Sequence, residues 1–161
     1  MRHTERALTA PTDINAVIRD CQVMRLAMSR GDRPYCVPLC FGYDGKAIFF
    51  HTGREGLKVD HLQANPRVCF EFERLVRPLP SPEAGCRWSM AYESVVGFGT
   101  VVEIVTVEER EYGLCQIMGH YSGRTTWTFS PGALEVTRVW RIGVESMTGR
   151  RSKHGWTEPG K

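Results

Sequence analysis

His51, Thr52, Arg54 and Lys58 are the residues whose types and spacing suit shared chemistry. They fall where an apolar run, Ala47 to His51, gives way to helical spacing. A helix start offers free backbone N–H groups and a partial positive charge, which suits a phosphate. Thr52 adds a hydroxyl, and Arg54 and Lys58, four residues apart, can reach one anion from a single helical face. A plainer reading stands beside this one. Thr52-Gly-Arg-Glu55 fits a capping box, with the basic pair simply solvated. His51, at a strand end, either bonds backbone or donates to a ligand, since imidazole titrates near working pH.

Other chemistries lack their signatures. The histidines at 3, 51, 61, 120 and 154 form no HxxxH pair, and no CxxC occurs, so a zinc site is not expected. No GxSxG elbow or Walker-type loop is present. Gly97-Phe98-Gly99 lacks the third glycine of a dinucleotide fingerprint and sits inside a strand-like run. Trp88, beside a proline-rich stretch, is either core or a cover for a planar cofactor or a subunit interface. The cysteines at 21, 36, 40, 69, 86 and 115 read as reduced structural thiols. Cys36 and Cys40 would stand about 13 Å apart on one strand, too far for a disulfide.

The elements that must position these residues follow from patterning. Pro11-Thr-Asp13 leads into Ile14, Val17, Ile18 and Cys21, which predicts a short amphipathic helix. Strands are expected over residues 22–29, 35–43, 47–51, 68–73, 88–105 and 134–144. Asp44-Gly45 marks a hairpin, and Pro38 should face an edge, a bulge or a ligand. A helix opens near Thr52 and ends at Asn65-Pro66; a second opens at Thr106-Val-Glu-Glu109 and runs to about Met118. Residues 75–87 and 120–131 read as loops, and Gly97 and Gly99 as a bulge or bend.

The prediction is therefore mainly β, a six-stranded antiparallel barrel with inserted helices. A length of 161 residues fits one domain over 1–161, with 1–12 and 148–161 as loose termini. A net charge of +3 is too small to imply nucleic acid. The sequence has no apolar run of membrane-spanning length and no secretory h-region at its start, so no membrane partner and a cytoplasmic location are expected.

Four blocks in order carry a resemblance: PYCVPLCFGYDGKAIFFH, then GLK with a helix, NPRVCF, and W with YESVVGFG. Over roughly Met24 to Val105 the chain resembles the pyridoxamine 5'-phosphate oxidase-like flavoproteins, and within them the nitroimidazole-resistance branch. The resemblance implies a Greek-key split-barrel homodimer with FMN at the subunit interface. It implies that Thr52 and Lys58 bind the phosphate, with Arg54 a further candidate. Val37, Pro38, Leu39 and Cys40 would lie along the isoalloxazine ring, with Trp88 near the dimer pocket and His51 beside the flavin as catalytic residue. One position departs from the family pattern: Leu57 stands where an arginine is common. The implied activity is reduction of a small planar substrate such as a nitroimidazole. The alternatives are pyridoxamine 5'-phosphate oxidase activity or a non-catalytic flavin or haem binder, with His120 and His154 open for haem.

Overall fold

The computed structural model describes residues 6–152. Its strands form one antiparallel sheet ordered β3-β2-β6-β7-β8-β5-β4, with β1 added to β8. The six expected strands are present as β2 (Met24–Arg30), β3 (Arg33–Leu39), β5 (Ala47–Thr52), β6 (Arg67–Leu79), β7 (Ser89–Ile104) and β8 (Arg138–Arg151). Two short pieces, β1 (Ala7–Leu8) and β4 (Gly42–Tyr43), raise the count to eight. The helices are α1 (Pro11–Asp20), α2 (Leu57–Ala64), α3 (Val107–Ser122) and α4 (Pro131–Val136).

Alternation explains why the strands curl around one core. Leu26, Phe41, Ile48, Phe50, Phe70, Phe72 and Ile142 are fully buried, and α1 adds Val17 and Ile18. Each such side chain contributes about 1.5–3 kcal/mol on leaving water. A second cluster, Phe49, Ile104, Leu114, Ile117, Leu134 and Val139, forms where α3 and α4 cover the outside of β5 and β8. Gly97 is needed in β7 because a Cβ there would lie 2.3 Å from the Phe70 ring. The register of β7 against β8 shifts between Phe98 and Gly99, where a bulge was expected.

Several boundaries differ from expectation, each for a physical reason. β6 does not stop at Glu73. A bulge between Arg74 and Arg77, with Leu75 at φ 57°, absorbs the irregularity, and pairing with β7 then resumes to Leu79. Residues 134–136 are not strand. Ser130 accepts a hydrogen bond from the Ala133 N–H, and Pro131 opens α4. The chain near 120 is helix, since α3 runs on to Ser122 and closes on Gly123 in the left-handed region. The termini are tied rather than loose over the described residues, because Ala7 and Leu8 pair with Arg150 and Gly149. Residues 1–5 and 153–161, including His3 and His154, lie outside the described residues.

A buried carboxylate fastens that end of the barrel. Glu93 is fully buried and pairs with Arg74 at 2.6 Å and with Arg151. Arg74 also reaches Asp20 and donates to the Ala16 carbonyl at 3.3 Å, so one cluster joins α1, β6, β7 and β8. Removing one partner of such a buried pair costs about 3–5 kcal/mol. All six cysteines are free, but only Cys21 is buried; Cys36, Cys40 and Cys86 are exposed, which corrects their reading as structural. Burial pushes the Cys21 thiol up to about 11. Among the described residues no helix is long and apolar enough to cross a membrane.

Candidate functional site

The site begins at the end of β5, where His51 pairs opposite Val139 and Thr52 opposite Arg138. Strand alternation sends the two side chains to opposite faces. His51 is exposed on the outer face. Thr52 turns inward and is 7% exposed. Its hydroxyl donates to the Gly53 carbonyl at 2.7 Å and accepts from the Trp140 indole N–H at 3.0 Å. The capping box is therefore not made, and α2 starts later, at Leu57.

Gly56 is the N-cap, with φ 125°, a conformation that favours glycine strongly over any residue with a Cβ. No side chain caps α2. The first hydrogen bond of the helix runs from the Asp60 N–H to the Gly56 carbonyl at 3.1 Å. The amides of the first turn are thus open to a ligand, with the positive end of the helix behind them. Lys58 sits in that turn, half-buried, and burial lowers its ammonium pKa. His51 is also held below its usual range, first by partial removal from solvent and then by the charge of Lys58. The structure thus makes His51 and Lys58 electrostatic neighbours.

Arg54 is placed otherwise than expected. It lies in the turn before α2, so it shares no helical face with Lys58. It is exposed, and its carbonyl accepts from Arg138 Nη1 at 3.2 Å. Leu57, the first helical residue, is 46% exposed.

The second group of predicted residues lies on or just past β3, an edge strand that among the described residues pairs with β2 alone. Pro38 sits opposite Arg25 and is exposed, as an edge proline should be. Val37 packs against the core, Leu39 is buried, and Cys40 is exposed just past the strand end. Helix α2 connects the two groups. Its His61 ring lies 5.0 Å from Tyr35 of β3, and Asn65, just after it, donates to Ser29 of β2 at 3.1 Å. His61 is 1% exposed; its Nδ1 bonds the Leu57 carbonyl at 2.8 Å, while its buried Nε2 has no hydrogen-bond partner among the described residues. Trp88 precedes β7 and is 56% exposed, which removes the core reading and leaves it free to cover something outside this chain.

Sequence reasoning missed Tyr121. Its phenol donates to the Gln22 carbonyl at 2.7 Å and accepts from the Phe41 N–H at 3.1 Å. It thereby fixes the Cys40-Phe41 corner from α3. Burial pushes this phenol up to about 12; the Phe41 bond opposes that shift, and the Cys40 thiol adds to it. The neighbouring His120 bonds the Cys21 carbonyl at 2.7 Å and lies 4.3 Å from the Phe41 ring, so its ring already has structural partners. No single local motif contains these contacts, because they join positions 80 to 99 residues apart.

The residues present fit a flavin phosphate. An uncapped helix start behind a glycine turn, with a half-buried lysine in its first turn, suits an anion. The site lies at a strand-to-helix junction of an antiparallel split barrel. The sequence profile for pyridoxamine 5'-phosphate oxidase matches residues 11–151, and the chain belongs to that family.

Solved structures agree. A candidate 5-nitroimidazole antibiotic resistance protein from Bacteroides thetaiotaomicron superposes with a TM-score of 0.80 at 29% identity, covering 90% of this chain and 86% of that one. An FAD-binding protein from Mesorhizobium loti gives 0.65 at 26% identity, covering 91% and 97%. An FAD and heme binding protein from Mycobacterium smegmatis gives 0.82 at 18% identity, covering 95% and 76%, and shows the fold alone. A search of curated proteins found no match.

Proposed function

We propose that this protein is a flavin-dependent oxidoreductase that reduces a small planar acceptor such as a nitroimidazole, working in the cytoplasm as a homodimer. The observation that carries the reading is the uncapped start of α2, with half-buried Lys58 beside His51. The likeness to a candidate nitroimidazole-resistance protein supports the choice of acceptor. Lys58 and the first-turn amides hold the phosphate of the FMN moiety, and Arg54 supplies a second cation from the turn. Thr52 holds the turn in place through Gly53 and Trp140.

The open edge of β3 presents backbone groups from Val37 to Cys40 along the ring. Pro38 offers no N–H there, so that stretch favours ring contact over further strand pairing. The bound flavin supplies two-electron reduction chemistry. His51, at the end of β5 and beside Lys58, orients the acceptor through its ring N–H.

The dimer reading rests on the outer face of β7. Met90, Val96, Phe98 and Val102 alternate along it as exposed apolar side chains, and Trp88 precedes them. An apolar stripe of this kind marks a protein interface.

The test is the absorption spectrum of purified protein with bound-ligand analysis. Flavin bands, with turnover of a nitro compound on adding reductant, are expected. A colourless protein that takes up neither FMN nor FAD overturns the reading. A Soret band replaces it with a haem binder, and turnover of pyridoxamine 5'-phosphate alone replaces the acceptor. Sedimentation at micromolar concentration checks the dimer.

A further inference from the structure

We propose that Arg138, at the start of β8, is the positioning residue of the anion site at the β5–α2 turn: it aims the backbone amides of that turn and does not itself touch the anion; this rests on the flavin reading above. Residues 53–56 are exposed. A Cβ added at Gly53 or Gly56 would meet nothing within 4 Å, so the turn stands clear of the packed core. Among the described residues, two hydrogen bonds hold residues 53–55. The Thr52 hydroxyl donates to the Gly53 carbonyl at 2.7 Å, and Arg138 Nη1 donates to the Arg54 carbonyl at 3.2 Å.

Those two bonds set where the amides point. The described peptides are all trans. In a planar trans peptide the C=O and the N–H point opposite ways. Drawing the Gly53 carbonyl to Thr52 turns the Arg54 N–H away from Thr52. Drawing the Arg54 carbonyl to Arg138 turns the Glu55 N–H away from β8. Neither N–H has a partner among the described residues. The open first-turn amides of α2 follow directly after them. Successive free N–H groups of this kind make a backbone concavity that binds anions.

The surroundings of Arg138 suit holding rather than binding. Its Nε donates to Glu103 at 2.7 Å and its Nη2 to the second Glu103 oxygen. This two-point pair holds the Glu103 carboxyl below its usual range and matches the arginine charge, so none is spare for a phosphate. The guanidinium lies 4.9 Å over the Trp140 ring, and that indole donates to Thr52 at 3.0 Å. Strand register brings the group together: Arg138 sits opposite Thr52, and Trp140 opposite Glu103. Arg110 of α3 donates to the Leu134 and Thr137 carbonyls and so fixes the chain just before Arg138. One network thus controls both hydrogen bonds of the turn, and Arg138 Nη1 is its reach to Arg54.

The experiment titrates flavin-free protein with FMN and with riboflavin, which lacks the phosphate, by fluorescence quenching. Wild type, Arg138→Ala and Glu103→Gln are compared, each checked for folding by urea unfolding. Arg138→Ala should weaken FMN binding about tenfold, the cost of re-ordering about one backbone residue on binding, and leave riboflavin unchanged. Glu103→Gln should weaken FMN in the same sense but less, because Arg138 loses part of its anchor. An Arg138→Ala change that lowers both flavins alike, or neither, overturns the proposal. Tighter FMN binding in Glu103→Gln also overturns it, since a freed guanidinium would then be a direct ligand. If Arg138→Ala does not fold, the sign of the Glu103→Gln effect decides. Inorganic phosphate, followed by amide NMR, gives a readout without flavin. It should shift the amides of residues 54–58 in the wild type and much less in Arg138→Ala; equal shifts in both overturn the proposal. A wild type that binds neither flavin removes the flavin reading itself, and the phosphate titration then decides the role of Arg138 alone.

Discussion

Two Thr-x-x-Glu turns lead into helices in this chain, Thr52 to Glu55 before α2 and Thr106 to Glu109 before α3, and they end in opposite states. Thr106 caps its helix: its hydroxyl accepts from the Glu109 N–H at 3.4 Å and donates to the Glu109 carboxylate at 2.9 Å. Thr52 is held in β5, its hydroxyl shared between Gly53 and Trp140. A cap contributes about 1 kcal/mol, whereas leaving a buried indole N–H without a partner costs about 1–3 kcal/mol. At Thr52 the indole bond therefore outweighs the cap. The N-cap then falls four residues later, at Gly56, and α2 begins at Leu57 with no side chain on its first amides. The capped start is closed to ligands, and the uncapped one is the candidate site.

The largest effect expected from breaking this contrast is on cofactor binding. Lys58→Ala removes the half-buried cation and should weaken flavin binding by about 1.5–3 kcal/mol, roughly tenfold to a hundredfold, by fluorescence titration. The matching Thr106→Ala should leave flavin affinity unchanged.

Stability should separate the two threonines next. Thr52→Val keeps the shape but strands the Trp140 N–H, so urea unfolding should show a loss of about 1–3 kcal/mol. Thr106→Ala loses only a cap and should cost about 1 kcal/mol in the same assay.

The smallest effect is on pH dependence. The folded pKa of His51 lies below its ordinary 6.5, so on acidification the unfolded chain takes up that proton first. The His51 contribution is intact above 6.5 and is lost as pH falls from there through the folded value. Lys58→Ala removes the second cause of the depression, so the His51 titration midpoint, followed by NMR, should rise toward 6.5 while burial still holds it below.

Where local pattern and fold agree, the sequence was readable. β7 shows alternation over its whole length, and Gly97 and Gly99 announced its bulge. The junction of His51 with Lys58 was legible because strand, turn and helix are consecutive there. Residues 75–79 were not readable as strand, because Pro78 argues against it and only pairing with Met90 across the hairpin overrides that signal. The Leu134–Val136 run suggested a strand, yet Ser130-Pro131 was the stronger local signal and starts α4. Arg54 was placed on the wrong element because the helix start depends on Trp140, 88 residues from Thr52.

By itself, then, the sequence determined the mainly antiparallel class, the family and the stretch of chain that bears the site, since each rests on short-range periodicity and contiguous motifs. Only the tertiary structure decided that Thr52 turns inward, that Arg138 anchors the turn at Arg54, that Tyr121 fixes the Cys40-Phe41 corner, and that Glu93 closes the barrel end with Arg74 and Arg151. Those contacts join residues far apart in the chain. Burial sets their strength, and burial exists only once the sheet has closed.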